Sequence, residues 1–299
     1  MHMPILNRQS ILDRAHQDTR PDLVAIDHGR LATAGWPRGR LEPMTIDIEG
    51  PAGDTRESAL PFLVAMSAIN YRFWMRGPGG ALSRYEFRGK TGARALWTAF
   101  ETNWKDAPDF AGRLRNGHFD AMFGAIPDMA SRLTLLQEVL AGDRLADVCD
   151  DIVQDVADRR AVTASHAGML AEAFPLAFGD PYLKKGQLAI AMYAGFLRNL
   201  GQPVTTSALT AMADYQVPRV LRCLNILTYA PALATKVDTG QLIDHDSEEE
   251  NAIRAATVLA CEAIAAHLGA SAADVDNLLW QAQERAQDTR FHLTETHWY

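Results

Sequence analysis

The sequence predicts a mainly α-helical protein that forms a single compact helical domain with a small β element near its N-terminus. From about residue 57 onward, apolar residues recur at helical spacing in roughly seven to ten segments. Only two or three short segments, all before that point, have a strand-like pattern. We therefore assign residues 1–56 to an N-terminal arm and β element packed on the body, and residues 57–299 to a helical body that forms one structural unit.

The N-terminal part contains the strand candidates. Residues 1–22 are polar and predict a short helix or a mobile arm. Residues 23–26 and 31–34 are apolar and flank the turn Asp27-His28-Gly29-Arg30, a pattern that predicts a β-hairpin. Residues 44–50 alternate between apolar and polar types and predict a third strand.

The body is predicted to surround one helix that is apolar on nearly all sides. Residues 183–200 have this character, which is typical of a helix through the centre of a protein, and Gly201 is a stop signal. Ser247 and Ser271 are predicted N-caps of two helices near the C-terminus, and Glu250 completes a capping box with Ser247. Further helices are predicted over residues 57–69, 92–103, 129–141, 145–158, 165–174 and, with Thr206 as the cap, 207–213.

Composition and charge argue against several classes of function. The net charge of -8 and the pI of about 5.6 disfavour a broad nucleic-acid surface, so no stable nucleic-acid partner is expected. The three cysteines form no CxxC pair and the nine histidines lack metal-ligand spacing, so no disulfide framework and no metal site are predicted. Without a signal-peptide core or an apolar run of about 18 residues, the chain is expected to be cytoplasmic and free of the membrane. Phosphate-loop, dinucleotide-binding, HExxH and GxSxG motifs are absent from the sequence.

The stretch Ala213-Asp214-Tyr215-Gln216-Val217-Pro218-Arg219 brings a carboxylate, a phenol and a guanidinium together. Pro218 fits the first turn of a helix, which places Asp214 and Tyr215 at a corner between two helices. A carboxylate at such a corner either points into a cleft or caps the helix that follows. The motif by itself leaves both roles open.

Aromatic and basic residues elsewhere are further site candidates. Tyr71, Phe73 and Trp74 precede a glycine-rich break, and they either wall a pocket for a flat ring or fill the core. Lys184 and Lys185 fall in the first turn of the central helix, where they either bind a phosphate or extend along the surface. The preceding Gly179-Asp180-Pro181 turn makes Asp180 a predicted cap of this helix.

Several motifs occur in order along the chain and together resemble one family. They are Asn70-Tyr71-Arg72-Phe73-Trp74, Gly179-Asp180, Lys184-Lys185-Gly186-Gln187, Ala213-Asp214-Tyr215-Gln216-Val217-Pro218, Glu248-Glu249-Glu250 with Ile253-Arg254, and Leu279-Trp280. Over roughly residues 60 to 299 the chain resembles the queuosine salvage protein family, the queuosine 5′-phosphate N-glycosylases. The block around Asp214 is the most specific of these motifs. The chain departs from the usual pattern at Lys185, Gly186 and Gln216, where the family usually has Arg, Ala and Arg.

This resemblance implies a helical fold akin to the helix-hairpin-helix DNA glycosylases and a small-molecule substrate. It implies hydrolysis of queuosine 5′-monophosphate to queuine and ribose 5-phosphate, with no metal or organic cofactor. Asp214 is the first candidate and Asp180 the second for the catalytic carboxylate, which would stabilise positive charge on the sugar and take a proton from water. The implied substrate-binding residues are Asn70, Tyr71, Phe73, Trp74, Lys184, Lys185, Gln187, Tyr215, Arg219, Glu250 and Trp280.

Two alternatives stay open at the level of the sequence. A helix-hairpin-helix DNA glycosylase would require a basic DNA-facing surface and a glycine-rich hairpin, whereas the net charge is -8. A non-enzymatic helical binding protein would be favoured if Asp214 and Asp180 were caps that face no cavity. The motifs fit the nucleotide and the nucleoside alike, and they predict no oligomeric state.

Overall fold

Helices dominate the computed structural model, which describes residues 6–37 and 41–299. Its helices are α1 (Arg8–Gln17), α2 (His28–Thr33), α3 (Arg56–Ala68), α4 (Ala93–Asn103), α5 (Ala107–Arg115), α6 (Phe119–Phe123), α7 (Met129–Val139), α8 (Arg144–Arg159), α9 (Ala164–Ala173), α10 (Pro175–Phe178), α11 (Lys184–Asn199), α12 (Val217–Cys223), α13 (Pro231–Asp238), α14 (Glu248–Leu268) and α15 (Ala272–Gln281). Its strands are β1 (Val24–Ile26), β2 (Trp74–Arg76), β3 (Leu82–Arg84), β4 (Glu86–Phe87), β5 (Lys90–Thr91), β6 (Ala161–Thr163), β7 (Thr205–Ala208) and β8 (Leu227–Tyr229). These strands pair only two at a time, so the predicted mainly α-helical class is confirmed.

Helix α11 lies at the centre of the larger apolar cluster, as its sequence predicted. Nearly all of its residues are buried, including its first four, and α3 and α9 pack along it. Gly186 allows the close approach of α9, because a Cβ atom at that position would lie 3.0 Å from the Cβ of Ala167. An alanine at this position would require α9 and α11 to shift by a few tenths of an ångström.

A second apolar cluster is formed mainly by α12, α14 and α15, with β8 and α13 at its edge. Helix α14 takes part in both clusters. Its residues Ala255 and Val258 belong to the larger cluster, while Ile253 and Ala256 belong to the smaller one. The shared helix joins the two clusters into one body.

The predicted N-caps of the two C-terminal helices are confirmed. Ser247 accepts the backbone N–H of Glu250, and Ser271 accepts that of Asp274. The capping box is wrong, because the Glu250 carboxylate accepts the backbone N–H of Asp246 and not that of Ser247. Glu250 therefore anchors the loop ahead of α14.

The predicted N-terminal β-hairpin is wrong. Strand β1 pairs antiparallel with the distant β8, and the residues after it form helix α2. The Asp27 side chain accepts the backbone N–H of Arg30 and so caps a helix where a turn was expected. The predicted helix near the N-terminus is present as α1, while residues 1–5 of that segment lie outside the described residues.

Two further local predictions are wrong because a tertiary contact replaces the expected element. Residues 41–49 form no strand, and the Met44 carbonyl accepts a hydrogen bond from Arg198 of α11. Residues 205–208, where a helix capped by Thr206 was expected to begin, form β7, which pairs in parallel with β6. In both cases the partner is remote in sequence.

Within residues 6–37 and 41–299, no single helix combines the length and the apolar composition needed to cross a bilayer. Taken together, α14 and the segment 272–286 meet that criterion, but only as a pair bent by 105°. Much of α14 and of α15 is buried in the second apolar cluster.

Candidate active site

A cleft of about 860 Å³ is the setting for most of the predicted site residues. Its volume falls within the range of roughly 300–1,000 Å³ that is typical of small-molecule sites. It is lined by the segment between α3 and β2, the first turn of α11, the segment ahead of α12, one face of α15 and the C-terminal segment. The cleft therefore draws on both apolar clusters.

Asp214 lines this cleft just ahead of α12. Its Oδ1 accepts the backbone N–H of Gln216 at 2.7 Å and that of Val217 at 3.0 Å. Its Oδ2 has no hydrogen-bond partner among the described residues, and 9% of the residue is exposed. The two roles left open by the sequence therefore coexist, because one oxygen caps the helix and the other is free at the cleft.

A second carboxyl group, Asp276 on α15, lines the same cleft. Its Oδ1 accepts the backbone N–H of Met212 at 2.9 Å, two residues ahead of Asp214 in the chain. Lys184 lines the cleft as well, and its Nζ donates to the carbonyl of Asn70 at 3.2 Å. Among the described residues, no group of three or more His, Cys, Asp or Glu side chains has the arrangement of a metal site.

These three side chains shift each other's pKa values. Burial raises the pKa of Asp214, against the lowering effects of the Lys184 charge and of two backbone N–H groups. Burial raises the pKa of Asp276 well above 3.8, and the negative charge of Asp214 raises it further. Burial lowers the pKa of Lys184, although the nearby carboxylates partly offset this effect. Such opposed shifts in one cleft are typical of acid–base sites.

Asp180, the second predicted catalytic residue, does not line the cleft. Its two oxygens accept the backbone N–H groups of Tyr182 and Lys184, which confirms its predicted role as a cap of α11. Both oxygens also bind the guanidinium of Arg254 at 2.9 and 2.7 Å, and both side chains are almost fully buried. Burial would raise the pKa of Asp180, but Arg254 and the backbone N–H groups lower it.

The Asp180 cap also holds an unusual backbone conformation in place. Leu183, between Asp180 and the first residue of α11, has a φ of 52°, in the left-handed region that L-residues with a branched side chain rarely adopt. The hydrogen bonds that the flanking N–H groups of Tyr182 and Lys184 donate to Asp180 stabilise this turn. The turn directs Lys184 toward the cleft.

The aromatic residues Tyr71, Phe73 and Trp74 lie in the same cleft as Asp214, but little of their surface is exposed. The ring centre of Tyr71 lies 4.0 Å from the guanidinium of Arg132 and 5.1 Å from Lys185 Nζ. Arg132 also lies 5.3 Å from the ring centre of Phe73, and Arg72 lies 5.7 Å from that of Trp74, so cations contact all three rings. Tyr215 and Phe291 also line the cleft, their ring centres lie 4.9 Å apart, and both are partly exposed, so they are the more accessible candidates for a wall against a flat base.

Three of the predicted substrate-binding residues lie away from the cleft. Lys185 donates to the carbonyl of Ala68 at 2.7 Å, and burial lowers its pKa well below 10.5. Gln187 exchanges hydrogen bonds with Thr210, which ties α11 to the segment that leads to Asp214. Glu250 is fully buried at the loop ahead of α14. Asn70, Lys184, Tyr215, Arg219 and Trp280 line the cleft.

Three arginines at the cleft, Arg84, Arg94 and Arg219, lack a carboxylate partner among the described residues, and two of them are near each other. Arg219 donates through Nε to the carbonyl of Thr289 at 2.6 Å and through Nη1 to Gln216. Arg84 is exposed on β3, and its charge helps to lower the pKa of Arg219, after the effect of burial. Two cations held near each other without an acidic partner form a natural site for an anion.

Comparison with known proteins identifies the family of this chain. The model of the family described as "Queuosine salvage protein" matches residues 51–299. The chain belongs to the queuosine salvage protein family. It is 30% identical over 308 residues to a queuosine 5′-phosphate N-glycosylase/hydrolase of Sphaerobacter thermophilus, with 92% of this chain and 93% of that relative covered.

Two more relatives of the same name belong to eukaryotes. The one from Dictyostelium discoideum is 26% identical over 85% of this chain and 81% of its own length. The one from Nematostella vectensis is 38% identical over a shorter stretch of 85 residues, or 28% of this chain. The resemblance inferred from the motifs is confirmed.

In this member of the queuosine salvage protein family, sequence reasoning missed Asp276, Arg84 and Phe291. Asp276 stands four residues ahead of Trp280, which places both on one face of α15, and both line the cleft. That spacing was available in the sequence next to the Leu279-Trp280 motif. Arg84 and Phe291 carry no local signal, because they reach the cleft through the β2–β3 hairpin and the C-terminal segment.

Proposed function

We propose that this chain is an N-glycosyl hydrolase that cleaves queuosine 5′-monophosphate with water to release queuine and ribose 5-phosphate. The observation that carries the proposal is Asp214, whose Oδ1 is held by two backbone N–H groups while Oδ2 is free at the cleft. The relatives named queuosine 5′-phosphate N-glycosylase/hydrolase support the choice of substrate.

The chemistry of the reaction matches what Asp214 offers. Breaking an N-glycosidic bond leaves positive charge on the sugar, and a carboxylate that is already oriented stabilises this charge without reorganisation. The same carboxylate can accept a proton from the attacking water. Burial raises the pKa of Asp214, and the charge of Lys184 opposes this effect. Lys184 therefore favours the ionised form of Asp214.

The rest of the cleft fits the other parts of the nucleotide. Phe73, Trp74, Tyr215 and Phe291 line the cleft, and their rings supply aromatic surface for the flat 7-deazapurine base. We assign the 5′-phosphate to Arg84 and Arg219. Their place at the cleft favours them over Lys185, which is buried against the backbone.

The test is incubation of the purified protein with queuosine 5′-monophosphate and detection of free queuine by mass spectrometry. Release of queuine at a rate that is proportional to enzyme concentration is expected. No release from the nucleotide or from the nucleoside queuosine would overturn the proposed function.

The phosphate assignment has its own test with a matched control. Arg84→Ala is expected to raise KM for the nucleotide and to leave KM for the nucleoside unchanged, since only the nucleotide carries the anion. Arg76→Ala removes a charge from the same hairpin outside the cleft lining and serves as the control. An equal effect of Arg84→Ala on both substrates would contradict the assignment.

A further inference from the structure

The cleft holds a carboxyl group for which the catalytic role of Asp214 leaves no task. Asp276 lies on α15 with 6% of its surface exposed, and it lines the same cleft as Asp214. Its Oδ1 is fixed by the backbone N–H of Met212, while Oδ2 has no hydrogen-bond partner among the described residues. A buried carboxyl group with one fixed and one free oxygen is arranged as a second reactive group.

The charged and titratable neighbours of Asp276 come from three packed elements. They are Asp214 from the segment ahead of α12, Lys184 from α11 and Cys261 from α14. Asp214 accepts two backbone N–H groups, whereas Asp276 accepts one. When the two carboxyl groups share a single proton, Asp214, which accepts more hydrogen bonds, carries the negative charge and Asp276 carries the proton.

The pKa values of both carboxyl groups are raised, but only that of Asp276 is raised well above its ordinary value. Burial and the charge of Asp214 raise the pKa of Asp276 well above 3.8, while Met212 and Lys184 lower it only in part. For Asp214, burial raises the pKa, and Lys184 is the largest of the opposing influences.

The leaving base requires a proton. A 7-deazapurine has a carbon atom in place of N7, so it lacks the ring nitrogen at which purine leaving groups are readily protonated. Departure as an anion of the pyrrole ring is costly, and a positioned acid lowers that cost. Resting on the proposed function, we propose that Asp276 is the catalytic acid that protonates the departing base.

The C1′–N bond breaks and its electron pair stays with the base, which takes the proton of Asp276 at a ring nitrogen. The water oxygen bonds to C1′, and its proton passes to Asp214. Asp276 is then ionised and Asp214 protonated, and one proton exchanged through bulk water restores the resting state.

The test compares two substrates that differ in their need for an acid. Asp276→Asn, Asp214→Asn and wild type are assayed with queuosine 5′-monophosphate and with p-nitrophenyl β-D-ribofuranoside 5′-phosphate, whose leaving group departs without protonation. Asp276→Asn is expected to lose a factor of about 10²–10⁴ in single-turnover rate on the nucleotide and less than about tenfold on the aryl substrate. Asp214→Asn is expected to lose activity on both.

A pH profile on the nucleotide gives an independent readout, and it decides the matter if the wild type does not cleave the aryl substrate. The wild-type kcat/KM is expected to fall on the alkaline side as Asp276 ionises, and this alkaline limb disappears in Asp276→Asn. Asp274→Asn, on the same helix but outside the cleft lining, is the control and keeps wild-type activity. The side-chain amide that Asp276→Asn introduces keeps an oxygen that can accept the Met212 N–H, and melting temperatures verify the fold.

Several results would overturn the assignment. Near wild-type turnover of the nucleotide by Asp276→Asn, equal losses on both substrates, or an unchanged alkaline limb would each do so. A wild type that releases no queuine would instead refute the proposed function, and the assignment with it. Queuine release by the wild type together with an active Asp276→Asn refutes the acid alone.

Discussion

Asp180 and Asp214 are both buried aspartates at the start of a helix, and each accepts two backbone N–H groups. Asp180 uses both oxygens for these contacts and also binds Arg254 through both. Asp214 uses one oxygen and leaves the other at the cleft, where Asp276 adds a second carboxyl group. The pKa of Asp180 is lowered, although burial alone would raise it, while burial raises that of Asp214.

The same residue type therefore has two roles, one in a structural ion pair and one at the cleft. Removing the partner of a fully paired buried charge destabilises the fold, and such a charge has no oxygen left to bind a ligand. A buried carboxylate with an unused oxygen is costly to the fold, and such residues concentrate at functional sites. The Asp180–Arg254 pair also holds the segment that carries Asp214, because Arg254 Nε donates to the carbonyl of Ala213.

Breaking the Asp180–Arg254 pair is expected to have the largest effect on the free energy of unfolding. Asp180→Asn leaves the fully buried Arg254 guanidinium without its counter-charge, and we expect a loss of about 3–5 kcal/mol in the free energy of unfolding. Chemical denaturation at pH 7 measures it. Asp238→Asn is the matched control, since it breaks an Arg–Asp pair at the surface and should cost less than about 1 kcal/mol. Equal small losses in both variants would show that the buried pair is not the stabilising contact described here.

Removing the charge of Asp214 is expected to lower the rate without lowering stability. Asp214→Asn keeps an oxygen that can accept the N–H groups of Gln216 and Val217, but it loses the negative charge. We expect turnover to fall by about 10²–10³ or more, with a melting temperature equal to or above that of the wild type. Single-turnover rates and thermal melts measure the two effects. A variant that melts many degrees lower with unchanged activity per folded molecule would leave Asp214 only its capping role.

The smallest expected effect concerns the change of stability with pH. Asp276 and Asp180 should contribute to it in opposite directions. The folded-state pKa of Asp276 lies above 3.8, so the native state holds a proton that the unfolded chain releases, and its contribution to stability falls as pH rises toward that pKa. Asp276→Asn should therefore gain stability relative to wild type with rising pH, by at most about 1.4 kcal/mol per pH unit. For Asp180 the folded pKa is lowered, so its contribution is present above 3.8 and is lost as pH falls through the folded pKa.

Melting curves across a pH series test both signs. The advantage of wild type over Asp180→Asn should shrink only in acid, while the advantage of Asp276→Asn over wild type should grow toward alkaline pH. Parallel curves for wild type and Asp276→Asn would mean that Asp276 is ionised in the folded protein, which would also contradict its role as an acid.

Local patterns in the sequence predicted what depends on local physics. The apolar character of residues 183–200 predicted the central helix, and Ser247 and Ser271 predicted two helix starts, because caps and helical periodicity involve neighbours within one or two turns. The motifs also led to the family, and to nine residues that line the cleft, Asp214 among them.

Only the tertiary structure decided what depends on contacts between remote segments. It paired β1 with β8, and it set Asp180 against Arg254, which is 74 residues away in the chain. It brought Asp276 to the cleft beside Asp214. Both aspartates, 180 and 214, look alike in sequence, as acids ahead of a helix. Charge interactions act through space and depend on burial, so the folded chain determines which carboxylate is neutralised by a partner and which stays free to react.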